Sequence, residues 1–155
     1  MRYTSDSKKY KQIVAHGYDQ VSDAYARLES ESEWPRISWL TKLLQRLEVG
    51  SSLLDLGSGS GDPADIEIAK LHSVTGVDIS KVKIQLARRN IPAGTFIHAD
   101  ISSEKHPVSS FHAVFFIYAL EHIPRDEHVS ILKNIQSWLS TGGYLFVVEH
   151  RSRRL

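Results

Sequence analysis

The sequence predicts an α/β protein built on a parallel, doubly wound sheet. Short apolar runs alternate with amphipathic stretches from about residue 52 onward, the pattern of strands joined by crossover helices. The runs are apolar at successive positions, as befits strands covered by helices on both faces. The first run, LLDL, opens directly into a loop with glycine at every second position, Gly57, Gly59 and Gly61. Bare backbone of this kind lets a ligand approach closely.

Taken in order, residues 10–28 and 37–47 carry helical apolar spacing and predict two helices, separated by the polar, proline-containing stretch 29–35. Strands are expected at 52–56, 74–78, 95–99, 113–118 and 144–148, with right-handed crossovers between them. Helices are expected at 63–71, where Asp62 and Pro63 suit an N-cap and first turn and Ile66, Ala69 and Leu71 face the sheet, at 82–90, and at 126–139. The connection 101–112 is polar and contains a proline, and it is about as short as a parallel crossover can be, so a vestigial helix is expected there.

Composition narrows the class. A chain of 155 residues with 41% hydrophobic and 24% charged residues is long enough to bury one core, and its net charge of +1 gives no long-range attraction to nucleic acid or to a membrane surface. Cysteine is absent, and the eight histidines show no paired spacing, so neither a disulfide framework nor a metal site is expected. The polar N-terminus and the lack of any run of membrane-span length predict a cytoplasmic protein. No repeat or linker divides the chain. The expected organisation is one integrated domain, with residues 1–48 as a helical cap over the site and residues 49–155 as the sheet core.

The candidate site follows from the glycine loop. A dinucleotide fingerprint spaces its glycines GxGxxG so that a pyrophosphate rests on the helix N-terminus. Here the spacing is GxGxG, and Asp62 and Asp65 follow, with Asp55 just before. Three acids predict a mildly anionic loop that repels phosphate and suits a nucleoside whose far end is cationic. S-adenosylmethionine, with a sulfonium, an ammonium and one carboxylate, fits. Asp78 closes the second strand about twenty residues beyond the first glycine, where a carboxylate takes both ribose hydroxyls. Asp55 either caps the loop or meets the ammonium through water. Tyr118, Glu121 and His122 lie at the carboxyl end of the fourth strand, where open parallel sheets place their chemistry. His122 or Glu121 suits a general base for a hydroxyl acceptor, and Tyr118 the wall of the methyl-donor pocket. A structural role for His122 is the competing reading. Tyr18 and Tyr25, seven residues apart, share a helix face. His16 is a further residue that could face the acceptor, Trp34 a wall for it, and Trp39 and Trp138 are expected to pack.

Five segments in order, LLDLGSGSG, VTGVDIS, FIHADI, FFIYALEHIPRDEH and LSTGGYLFVVE, make the chain resemble the class I S-adenosylmethionine-dependent methyltransferases of the small-molecule branch over about residues 10–149. The resemblance implies a Rossmann-like sheet of strand order 3-2-1-4-5 and a catalytic transfer of the methyl group to a small molecule. It implies that the backbone of Gly57, Ser58, Gly59 and Gly61 holds the methionine part, that Ile79 packs on the adenine, and that Asp100 and the Ile101 amide serve the adenine edge. A tyrosine of the YDxxxxxY pattern, Tyr18 or Tyr25, is implied at the cofactor carboxylate. The NPPY-type tetrapeptide of base amino-methylating relatives is missing, which favours small acceptors.

The family's usual two-strand C-terminal element has no counterpart before RSRRL. A truncated chain with an uncapped fifth-strand edge is therefore expected, and with it a homodimer that pairs those edges. Two other functions stay open: a catalytically inactive cofactor-binding or scaffolding domain, and, with less support from the glycine spacing, a nicotinamide-dependent oxidoreductase.

Overall fold

The computed structural model describes residues 5–31 and 35–149, with the side chains of residues 5, 22–31 and 35–36 left aside. The side chain of Tyr25, Trp34 and the RSRRL tail lie outside the described residues. Helix α1 (Ser5–Glu31) and helix α2 (Pro35–Leu44) precede the sheet. Then come β1 (Ser52–Leu56), α3 (Ala64–Ala69), β2 (Ser73–Asp78), α4 (Lys81–Asn90) and β3 (Thr95–His98). A single 3-10 turn, Ile101–Ser103, stands where the short crossover leaves no room for a helix. The chain continues through β4 (Phe111–Ile117), a second 3-10 turn at Leu120–His122, α5 (Arg125–Trp138) and β5 (Leu139–Val148).

All pairings are parallel and the strand order is β3-β2-β1-β4-β5, the expected one. The order reverses between β1 and β4, which opens a crevice at their carboxyl ends. Alternation along the central strands divides the core into two layers. Leu53, Ala113 and Phe115 face Ile68, Ile84, Ala87 and the α2 residues Leu40 and Leu43. Leu54, Val114 and Phe116 face Ile131, Ile135 and Trp138 of α5. Each such leucine withdrawn from water is worth about 1.5–3 kcal/mol, so two full layers hold the central strands rigid beneath the crevice.

Several local expectations change. Asp62 does not cap α3; Pro63, whose ring has no acceptor, occupies that position, and the Gly61 carbonyl accepts from Ile66 N–H at 3.1 Å. That helix stops at Ala69, so Leu71 falls beyond it and is exposed, while Ile68 is the fully buried apolar residue. Trp39 is also largely exposed, unlike Trp138. Strand β5 begins five residues earlier than the expected Tyr144, and its register against β4 jumps from Phe111↔Leu139 to Ala113↔Tyr144. Ser140–Gly143 bulge out opposite His112, with Gly142 at φ +77°. Among the described residues, no helix is long and apolar enough to cross a membrane.

Candidate active site

The crevice is a cavity walled by α1, α2 and the loops that leave β1, β2, β3 and β4. Its floor is the glycine loop. Gly57 N–H donates to Val77 O (2.7 Å) and Gly61 N–H to Ser58 O (3.0 Å), which curls the backbone toward β2. Gly57 has φ +89°, and a Cβ there would come within 2.3 Å of Ala119 Cβ, so its bareness serves the packing of the β4 loop. At Gly59, φ +59°, the added carbon would meet only the Lys83 side chain, at 3.7 Å from Nζ, and this backbone does face the cavity. The Ser58 Oγ is buried with no hydrogen-bond partner, an orphaned polar atom of the kind a ligand satisfies.

Asp78, buried at the end of β2, accepts from Gly59 N–H (2.9 Å) through one oxygen and from Ser80 N–H (2.8 Å) through the other. A carboxylate has about four lone-pair sites, so this clamp fixes its direction and leaves acceptor capacity for a ribose. Ile79 and Ile101 line the same cavity. Asp100 lines it too, with Oδ1 accepting from Ser102 N–H (2.9 Å) and Oδ2 from Lys11 Nζ (2.8 Å).

On the opposite wall, Tyr118 sits at φ +53°, its N–H donated to Val148 O (2.7 Å). Backbone forced into the left-handed region at a strand end is a mark of functional loops. The following 3-10 turn presents His122 to the cavity, and its Nε2 is 2.8 Å from the Tyr18 hydroxyl. Glu121, one residue earlier on the turn, is exposed and outside the cavity wall, 3.9 Å from His122 Nε2. The two base candidates thus stay within ion-pair reach of each other, and of the two His122 is the one that lines the cavity. His16 is exposed on α1 and hydrogen-bonded to Gln20 (3.0 Å), not in the cavity.

The expected acidity of the loop is revised by Asp65. This residue is fully buried against Asp55, and desolvation together with the Asp55 charge pushes its carboxyl well up. Burial beside Asp55 thus favours its protonated form. Asp55 and Asp62 remain in the cavity wall. Two cations also enter that wall, Lys11 and Lys83.

Those lysines, and Glu149, escaped the reading of the sequence. Lys11 precedes Tyr18 by seven residues, as Tyr18 precedes Tyr25, so the shared helix face was a usable signal. Glu149 accepts from Leu120 N–H (3.0 Å), anchoring the turn that carries His122, and burial pushes its carboxyl up. Nothing local marks that contact, which spans 29 residues.

A family profile described as a methyltransferase domain matches residues 53–143. The chain is 32% identical over 148 residues to the demethylmenaquinone methyltransferase of Chlamydia pneumoniae, covering 93% of this chain and 61% of that one. It is 33% identical over 128 residues to the trans-aconitate 2-methyltransferase of Enterobacter sp. (strain 638), covering 79% and 48%. Among solved structures, the 4+2 cyclase SpnF superposes with a TM-score of 0.73 at 25% identity, over 90% of this chain and 60% of that one. The chain thus spans about half to three-fifths of the length of these relatives.

Proposed function

The chain belongs to the methyltransferase-domain family, and on that premise we propose that it binds S-adenosylmethionine and passes the methyl group to a small-molecule acceptor. One observation carries this reading: the glycine loop, Asp78, Asp100 and His122, drawn from four separate loops, line a single cavity at the carboxyl edge of the sheet. The clamped Asp78 suits the two ribose hydroxyls, Ile79 and Ile101 the faces of the adenine, and Asp100 its amino group. Asp55 suits the ammonium.

When bound, the cofactor supplies a methyl group on a sulfonium, whose departure leaves a neutral thioether. The protein's share would therefore be positioning: Tyr118 and His122 would orient the acceptor in the cavity, and helices α1 and α2 would cover the site as a cap that excludes water. For a hydroxyl acceptor, the proton released as the new oxygen–carbon bond forms would pass to the Tyr18 hydroxyl oxygen while that hydroxyl gives its own proton to His122 Nε2, to which it is hydrogen-bonded.

Calorimetric titration with S-adenosylmethionine and S-adenosylhomocysteine tests the reading. Asp78→Ala is expected to weaken both by about 1–3 kcal/mol, the scale of hydrogen bonds to a charged group. His122→Ala is expected to keep binding and lower turnover about 10²–10⁴-fold. Quinone-type and carboxylate acceptors, suggested by the relatives' names, form the first acceptor panel. Absence of nucleoside binding would overturn the assignment. Binding without transfer to any acceptor would favour a second reading, a cofactor-binding domain with another task, which is supported by the likeness to a cyclase. A cytoplasmic setting and a homodimer joined through β5 complete the proposal. Ordinary composition supports the first, and the exposed Tyr144, Leu145 and Val147 on β5 support the second.

A further inference from the structure

The cavity runs across the strand ends, and the strand order divides it. Asp78 and Ile79 come from the end of β2 and Asp100 and Ile101 from beyond β3, so these parts of the wall lie on one side of β1. Ile117 ends β4, on the other side of β1. Helix α2 brings Ile37 and Leu40 to the cavity and the start of α3 brings Ala64. These four residues also share one hydrophobic cluster, with Leu40 buried in it and Ile37, Ala64 and Ile117 packed against it and partly exposed. Three elements thus build an apolar wall that the nucleoside contacts assigned above do not use.

Charge is spread unevenly around the same cavity. Among the described residues, the lysines of its wall are Lys11 and Lys83. Lys11 is held by Asp100 and Glu127. Lys83 stands over the Tyr18 ring, 4.0 Å from its centroid. Close to Ala64 in the chain the wall carries an acid, Asp62, and beyond β4 it carries His122, hydrogen-bonded to Tyr18. A carboxylate set against the apolar wall would lose its hydration beside Asp62, with both lysines already engaged elsewhere. Burying a charge without a partner is costly, whereas an uncharged ring gains by leaving water.

Resting on the cofactor reading above, we propose that the acceptor is an uncharged molecule with an apolar body of ring size, seated between the Ile37, Leu40, Ala64 and Ile117 wall and the Tyr18–His122 pair. Acceptors that carry carboxylates are turned away. The wall therefore decides between the two chemistries of the acceptor panel.

Calorimetric binding to the full chain saturated with S-adenosylhomocysteine tests this with two probes of one ring system: 2-naphthol, and 6-hydroxy-2-naphthoate, which adds a carboxylate. Saturable binding of 2-naphthol is expected, tighter than that of the naphthoate by about tenfold or more. Ile37→Ser, which removes apolar surface from the wall, is expected to weaken 2-naphthol about tenfold and to leave S-adenosylhomocysteine within about twofold, which also reports an intact fold. Ile37→Lys places a cation in the wall and is expected to move the ratio toward the naphthoate. Should either variant lose its fold, the ratio in the unsubstituted protein decides alone. Naphthoate binding as tight as that of 2-naphthol, no binding of either probe, or affinities that both folded variants leave unchanged would each overturn the inference while nucleoside binding stands. Failure of the unsubstituted protein to bind S-adenosylhomocysteine would sink the cofactor reading and the inference with it.

Discussion

At the scale of single residues, Asp65 shows how burial changes what an acid does. It sits in α3 among charged neighbours, but Glu67 and Lys70 pair with each other at the surface (2.6 Å) and Asp62 belongs to the cavity wall. Asp55, from β1, is the titratable group whose charge acts on Asp65; Ile91, beyond the end of α4, and Gly61 supply apolar surroundings. The folded chain thus keeps this proton to higher pH than the unfolded chain does. It binds more protons than the unfolded state from the ordinary aspartate value, about 3.9, up to the raised one, and stability falls as pH climbs through that window. Asp65→Asn keeps a donor toward Asp55 and removes the slope. Melting temperatures of the two proteins, followed from about pH 4 upward, are expected to diverge in favour of the variant; parallel profiles would contradict a protonated Asp65.

At the scale of elements, α1 is fastened to the carboxyl edge of the sheet at three points. Asp19 accepts from Ser80 Oγ (2.5 Å) and Val82 N–H (3.3 Å), a carboxylate at the positive end of α4. Tyr18 meets His122. Lys11 donates to Asp100 and Glu127, while Ser7 Oγ donates to Glu127 (2.6 Å) and Ser102 Oγ joins the same carboxylate. Burial alone would raise Glu127, yet hydrogen bonds from Lys11, Ser102 and Ser7 and the Lys11 charge hold it below the usual range. Burial would likewise lower Lys11, but Asp100 and Glu127 keep it above its ordinary value. The Glu127 contribution is present above the ordinary glutamate range and lost as pH falls through the lowered folded value. That of Lys11 is present below the ordinary lysine value and lost as pH rises through its raised one. Between these limits the clamp holds. Lys11→Met leaves Glu127 buried without its cation and is expected to cost about 3 kcal/mol in denaturant unfolding at neutral pH. A cost below about 1 kcal/mol would mean that the pair behaves as a surface contact.

At the scale of the whole molecule, β5 forms an edge of the described sheet, and Leu145 and Val147 on it are exposed, as are Val129 and Leu132 on the neighbouring α5. Exposed apolar strand edges pair readily. Light scattering is expected to give twice the chain mass, and Val147→Lys to return a monomer by placing a charge on that edge; a monomeric unsubstituted protein at about 100 µM would rule out the pairing.

What was legible in the sequence is the parallel sheet, the glycine loop and the position of Asp78 at the end of the second strand. These rest on periodicity and on backbone demands that a few neighbouring residues encode. Long-range packing sets the rest: the raised carboxyl of Asp65, the place of Lys83 over the glycine loop, the entry of His122 rather than Glu121 into the cavity wall, and the clamping of Lys11 by acids 89 and 116 residues distant. The reason is that charge state and direction depend on what distant segments bring to a side chain, on the water they exclude and the partners they supply, and local pattern carries neither.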